Sequence, residues 1–136
     1  MPIDDDEVVR KILLESRTIA VVGASVKPWR DSNSIMQFLL DVGYRVVPVN
    51  PTYKEVLGIP CAPSLLEVRE TIDIADVFRR SDALRAIADQ AIAARVKTLW
   101  TQLGVVDEEA AKKAERAGLH VIMDRCIRVD YQRLIG

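Results

Sequence analysis

The sequence predicts an α/β fold in which helices cover both faces of a parallel, five-stranded sheet. Five short stretches of apolar or β-branched residues alternate with segments of helical periodicity along the 136 residues, a pattern typical of βαβ units. The expected strands are residues 18–22, 44–49, 72–78, 98–100 and 119–123. We therefore predict a single domain over residues 1–136, a Rossmann-like three-layer sandwich with strand order 3-2-1-4-5.

Helix signals separate these strands. Polar residues that can cap a helix stand where two of the helices begin, namely Ser32, Asn33 or Ser34 for one and Ser81 for the other. A further helix starts with acids in its first turn, namely Asp107, Glu108 and Glu109. The expected helices are residues 4–16, 33–42, 81–92 and 107–117, with a last helical turn or two in 127–136. Two prolines and a glycine exclude a long helix from the connector at residues 55–64.

The stretch from Thr18 to Ser34 carries the clearest functional signal. A strand buried on both faces ends at Gly23, and a loop containing Lys27 leads to a helix start. A strand, a glycine turn and a helix N-terminus together offer unpaired N–H groups and positive partial charge to a phosphate. The loop has one glycine where the dinucleotide fingerprint G-x-G-x-x-G has three, and it is longer. It therefore predicts an anion site and argues against a standard NAD site.

The loops that follow the five predicted strands lie at one edge of such a sheet, where ligands bind. They contain seven basic and four acidic residues, which favours a ligand with several phosphates. The predicted strand order puts the binding crevice between the first and fourth strands, beside Gly23 and residues 101–104. After the second strand, Asn50 and Pro51 replace the acidic residue that NAD-binding domains commonly carry there.

Composition limits the function classes. The chain is 49% hydrophobic and 29% charged with a net charge of −1, so no overall field attracts nucleic acid or an anionic membrane. The acidic N-terminus and the lack of a long apolar run predict neither a leader peptide nor a membrane span. Two cysteines, Cys61 and Cys126, fit a reduced cytoplasmic protein better than a disulfide framework. One histidine and two distant cysteines give no metal-ligand spacing.

The predicted ligand edge is poor in catalytic groups. No Ser/His/Asp arrangement or carboxylate pair can be assembled there, and His120 is expected to pack inside a strand away from that edge. Cys126 ends a strand beside Arg125, a cation that could make the thiol reactive. An inert, partly buried thiol is the other interpretation. Whether the protein is an enzyme stays open, with binding favoured.

Five motifs in chain order resemble those of the small stand-alone CoA-binding domain proteins. The motifs are Val-Gly-Ala-Ser at 22–25, Pro-Val-Asn-Pro at 48–51, Val-Phe-Arg at 77–79, Trp-Thr-Gln-Leu-Gly at 100–104 and Met-Asp-Arg-Cys at 123–126. These proteins are similar to the nucleotide-binding N-terminal domain of the succinyl-CoA ligase α subunit. The resemblance covers about residues 10–134 and implies a Rossmann-like fold that holds CoA or acyl-CoA through its ADP part.

The resemblance also implies site residues. It assigns the pyrophosphate to Gly23, Ala24 and Ser25, the ribose and 3′-phosphate to Asn50, Pro51 and Lys54, and the adenine to Val77, Phe78 and Arg79. Five further residues complete the predicted site, namely Lys27, Ser32, Asn33, Gln102 and Gly104. The physical character of these groups agrees, because backbone N–H groups suit phosphate, lysine is a point charge and apolar side chains suit a base.

The ligase reaction itself is not implied. The ligase carries a phosphorylated histidine in a second domain, for which this sequence shows no counterpart, and His120 does not match it. We expect a small cytoplasmic CoA-binding protein without obvious catalysis, with no nucleic-acid or membrane partner and with its protein partner unidentified. Two alternatives remain: a small NAD(P)-dependent oxidoreductase in which Arg79 contacts a 2′-phosphate, and a redox sensor in which Cys126 forms a mixed disulfide with a thiol such as CoA.

Overall fold

A computed structural model describes residues 1–136 as one five-stranded sheet, one small hairpin and five α-helices. The strands, in chain order, are β1 (Thr18–Val22), β2 (Arg45–Val49), β3 (Glu55–Val56), β4 (Ile59–Pro60), β5 (Ile74–Val77), β6 (Thr98–Thr101) and β7 (His120–Ile122). The helices are α1 (Asp6–Glu15), α2 (Asp31–Asp41), α3 (Leu84–Ala93), α4 (Glu108–Arg116) and α5 (Ile127–Leu134). The four strand pairs of the main sheet are all parallel, which confirms the predicted fold class.

The strand order differs from the prediction. The sheet runs β2-β1-β5-β6-β7, which is 2-1-3-4-5 for the five predicted strands, so the order 3-2-1-4-5 was wrong. The cause lies in β2, where Pro48 has no N–H to donate and therefore suits an edge strand. The segment after β2 forms the β3–β4 hairpin and then pairs briefly with the outer edge of β2. The chain next joins the sheet as β5, on the side of β1 opposite β2. The crevice consequently lies between β1 and β5, not between β1 and β6.

Both outer edges of the sheet are covered. Beside β2, the N–H of Ala62 donates to the Pro48 carbonyl at 3.0 Å, and the N–H of Asn50 donates to the Ala62 carbonyl at 2.9 Å. Beside β7, the N–H of Ile3 donates to the Val121 carbonyl at 2.7 Å. Short irregular segments thus occupy the positions where a sixth or seventh strand would pair.

Two apolar layers enclose the sheet. Helices α1, α2 and α5 bury residues against one face, and α3 and α4 bury residues against the other. All five residues of β1 are buried because this strand is central and covered on both sides. The longest helix has 11 residues, and no helix combines the length and apolar character needed to cross a membrane.

Helix starts follow the predicted capping only in part. The Asp107 carboxylate accepts the N–H groups of Glu109 and Ala110 and caps α4, so this residue lies just before the first turn in which it was expected. In contrast, α2 begins at Asp31 without a side-chain cap, so Ser32 and Asn33 lie inside its first turn. They cannot cap because a cap residue precedes the first helical residue, and both residues are buried. Ser81 is no helix cap either, since a 3₁₀ turn separates it from α3.

Candidate functional site

A cleft of about 870 Å³ opens at the carboxyl ends of the strands, where β1 and β5 meet. Eight of the fourteen predicted site residues line it: Gly23, Ser25, Lys27, Ser32, Asn50, Phe78, Arg79 and Gln102. Six do not. Ala24, Asn33 and Val77 are buried behind the cleft wall, while Pro51, Lys54 and Gly104 are exposed outside it. The cleft thus lies where parallel α/β sheets bind ligands.

Gly23 brings the loops after β1 and β5 into contact. Its φ of +91° is unfavourable for other residues, and a Cβ at this position would lie 2.6 Å from the carbonyl oxygen of Phe78. The same Cβ would lie 2.9 Å from Cδ of Arg79. The glycine is therefore required by the protein's own backbone, and it leaves room for the Arg79 side chain, which lines the cleft.

Two asparagines hold the loop that follows Gly23. The Asn50 side-chain amide donates to the Ala24 carbonyl at 2.8 Å, and the Asn33 side-chain amide donates to the Ser25 carbonyl at 2.8 Å. Asn33 is held in turn by Gln37, which donates to its Oδ1 at 2.9 Å. Asn33 therefore supports the loop from behind and does not reach the cleft.

The same loop leaves backbone donors free. The N–H groups of Ser25, Val26, Asp31 and Ser32 have no hydrogen-bond acceptor in the protein. Those of Asp31 and Ser32 are the first of α2, where the helix dipole adds positive partial charge. A group of unpaired N–H donors at a helix start forms a site for an anion such as a phosphate.

Two buried polar side chains also have unused hydrogen-bonding capacity at the cleft. Ser32 is 4% exposed and its hydroxyl has no protein partner. Gln102 is 8% exposed; its Oε1 accepts the N–H of Ile127 at 3.1 Å, and its amide nitrogen is unpaired. Neither the Ser32 hydroxyl nor the Gln102 amide nitrogen is a fully buried atom, so both reach the cleft and are suited to hydrogen-bond a ligand.

The cleft is strongly basic although the chain has a net charge of −1. Its charged lining consists of one acid, Asp31, and five cations, Lys27, Arg30, Arg79, Arg80 and Arg128. Arg80 pairs with Asp82 at 3.1 Å, and the other four cations form no ion pair. Unpaired cations around free N–H donors favour a ligand with several phosphates.

Sequence reasoning predicted Phe78 but missed the other large apolar residues of the cleft. Trp29, Tyr53 and Leu103 line it, and all three stand in loops, where no periodic pattern marks them. The available signal was a large aromatic residue after Pro28 in an otherwise polar loop.

Arg125, the cation that could make Cys126 reactive, is engaged by other residues. Cys126 lines the cleft, but Arg125 pairs with Asp130 at 2.8 Å and reaches Asp6 at 3.5 Å, on the α1–α5 side. The other cysteine, Cys61, lies outside the cleft, and burial raises the pKa of its thiol. His120 begins β7 at the amino ends of the strands, away from the cleft, as expected. It is exposed, however, so the prediction of a packed histidine was wrong.

The fold and the cleft define a Rossmann-like domain with a cationic ligand site at the crevice of its sheet. The sequence matches the profile of the CoA binding domain family over residues 17–132. The chain therefore belongs to the CoA-binding domain family, which confirms the resemblance found in the motifs.

Relatives of two kinds share this domain. Uncharacterized protein YneT of Bacillus subtilis (strain 168) is 42% identical over 121 residues, covering 89% of this chain and 90% of the relative. Acetate–CoA ligase [ADP-forming] I of Archaeoglobus fulgidus is 30% identical over 128 residues, but these span 85% of this chain and only 18% of the ligase. A solved structure of a hypothetical protein from Pyrococcus horikoshii OT3 has a TM-score of 0.96 and 43% identity, covering 100% of this chain and 97% of the other. The domain thus occurs both in chains of this size and within larger ligases.

Proposed function

We propose that this protein binds CoA or an acyl-CoA in the cleft, with the ADP part at the carboxyl ends of β1, β2 and β5. The observation that carries the proposal is the combination of free N–H groups at the start of α2 with four unpaired cations, in a chain of the CoA-binding family. Two free cysteines are compatible with a reducing compartment such as the cytoplasm. The proposed role is binding, because the cleft offers one carboxylate and no histidine for acid–base chemistry.

Each phosphate has candidate partners. The pyrophosphate fits the N–H groups of Ser25 and Ser32 together with the Arg79 side chain, whose Cδ lies next to Gly23. The 3′-phosphate was assigned to Lys54 by resemblance. Lys54 is exposed and lies outside the cleft lining, so this contact requires the ribose to reach over Asn50 toward the hairpin. Adenine is proposed to lie against Phe78.

CoA should stabilise the protein more than NAD does. A ligand that binds only the folded state at one hundred times its Kd adds about 2.7 kcal/mol to the free energy of unfolding. Asn50 stands where an NAD site has a carboxylate, and its Oδ1 already accepts the N–H of Thr52 at 2.9 Å. Thermal unfolding with equal concentrations of CoA, NAD and NADP measures the difference. A shift of the midpoint with NAD or NADP that equals that with CoA would favour the oxidoreductase.

Arg79→Gln should weaken CoA binding about 10-fold to 150-fold, because one charge-assisted contact of about 1.5–3 kcal/mol is lost. Isothermal titration calorimetry measures the change, and the loss should shrink at high salt. Arg17→Gln is the matched control, since Arg17 is an exposed arginine just before β1, at the opposite edge of the sheet. Equal affinities for both variants and the wild type would remove Arg79 from the site.

A further inference from the structure

Two large apolar side chains at the cleft are exposed in a way that the phosphate site does not explain. Trp29 is 76% exposed and Leu103 is 66% exposed, yet both line the cleft. They belong to the loops after β1 and β6 and therefore lie on either side of the end of β5. No protein group covers them, and phosphates gain nothing from apolar surface. Exposed apolar groups in a ligand cleft are normally covered when the ligand binds.

The strand order gives the cleft a direction. Free N–H donors and Arg79 lie in the middle, at β1 and β5. On the β2 side the lining consists of Asn50 and Tyr53, whereas on the side of β6 and α5 it includes Leu103 and Val105. A ligand whose diphosphate occupies the middle must extend both ways. With the ribose beside Asn50 on the β2 side and the adenine against Phe78, as proposed above, the other end of the ligand is left to pass Leu103 on the β6 side.

We propose that the preferred ligand is a CoA thioester with an apolar acyl chain, and that this chain packs against Leu103 and Trp29. The inference rests on the proposed function, because it takes the diphosphate of CoA to occupy the middle of the cleft. Each methylene that is fully buried improves affinity about fourfold. Since the cleft is open to solvent, hexanoyl-CoA should bind at least about tenfold more tightly than free CoA, an order-of-magnitude figure from the same area relation.

Calorimetry with reduced CoA, acetyl-CoA, butyryl-CoA and hexanoyl-CoA tests the proposal on the wild type, Leu103→Ala and Leu66→Ala. Leu66 is 59% exposed and lies outside the cleft, so its variant should keep the wild-type gain with chain length. Leu103→Ala should lose at least half of that gain. Equal affinities along the wild-type series, or the same gain in Leu103→Ala, would overturn the proposal. If no CoA species bound at all, the proposed function itself would fail, so the two failures are distinguishable.

Tryptophan fluorescence gives a second readout. The chain has two tryptophans, and Trp100 is fully buried, so acrylamide quenching reports on Trp29. Hexanoyl-CoA should protect Trp29 from quenching more than free CoA does, and the difference should vanish in Trp29→Phe. Equal protection by free CoA and hexanoyl-CoA would mean that Trp29 covers the nucleotide, which contradicts its place beside the acyl chain.

Discussion

The free energy of unfolding should fall as the pH rises from about 5 to 8, and Asp76→Asn should abolish this dependence. Asp76 lies in β5 with no exposed surface, and neither of its carboxylate oxygens has a hydrogen-bond partner. Its neighbours in register are Val21 and Trp100. Burial raises the pKa of Asp76 well above its usual value, so folding favours the neutral form of this carboxyl.

The direction of the effect follows from proton linkage. Because the folded-state pKa of Asp76 is raised, its contribution is complete below the unfolded-state pKa and is lost as the pH rises through the folded-state pKa. Between the two values the loss is about 1.4 kcal/mol per pH unit. The pKa values of Asp73 and Asp107 are lowered, chiefly by hydrogen bonds that outweigh desolvation. Their contributions are lost only as the pH falls below the unfolded-state value, so they add no slope above pH 5.

Urea unfolding at intervals of one pH unit measures this slope. Asp41→Asn is the matched control, because Asp41 is an exposed aspartate at the end of α2, and this variant should keep the wild-type slope. Asp76→Asn should be flat from pH 5 to 8 and more stable than the wild type at pH 8. A wild type that gains stability toward pH 8 would show that the Asp76 carboxylate has a stabilising partner.

Gly23→Ala should lower the free energy of unfolding by about 2–5 kcal/mol. The left-handed backbone costs an L-residue about 1–2 kcal/mol, and an overpacked site adds about 1–3 kcal/mol. The overlap is with the backbone of Phe78, at 2.6 Å, which cannot rotate away as a side chain could. Relief requires the loops after β1 and β5 to separate, so CoA affinity should fall as well, by at least about tenfold.

Gly104→Ala is the matched control for this variant. Gly104 also has a positive φ, +82°, but a Cβ there would meet nothing within 4 Å. It should therefore lose only the backbone part, and urea unfolding of both variants isolates the contact with Phe78. If the two variants lost the same stability, the loops would be free to separate without cost, and the tight contact would play no part in holding the site.

The strands were predictable because buried parallel strands leave continuous apolar runs, as at β1. The order of the strands was not predictable, because it depends on which side of β1 the chain rejoins the sheet after β2. Only Pro48 indicates that β2 is an edge strand. Asp76 shows a similar limit. In the sequence it alternates with apolar residues as a surface position would, but helices cover both sides of β5.

The site was predictable where chemistry depends on the backbone, as at Gly23 and the start of α2. The site was harder to predict where the direction of a side chain determines whether a residue reaches the cleft. Asn33 and Asn50 both hold the loop, but only Asn50 also lines the cleft. Lys54 immediately precedes β3, and its carbonyl accepts the N–H of Cys61 at 2.8 Å. Spacing alone cannot show that the chain turns into a hairpin at that point.

The covered edges of the sheet limit how this protein can associate. An exposed edge strand pairs readily with another chain, which leads to aggregation or strand-addition complexes. Here the β2 edge meets Ala62, and Pro48 lacks the N–H that an incoming strand would need. The β7 edge is engaged by Ile3. Self-association and partner recognition are therefore directed to the helical layers and to the loops around the cleft, and the sheet is protected from growing by edge-to-edge addition.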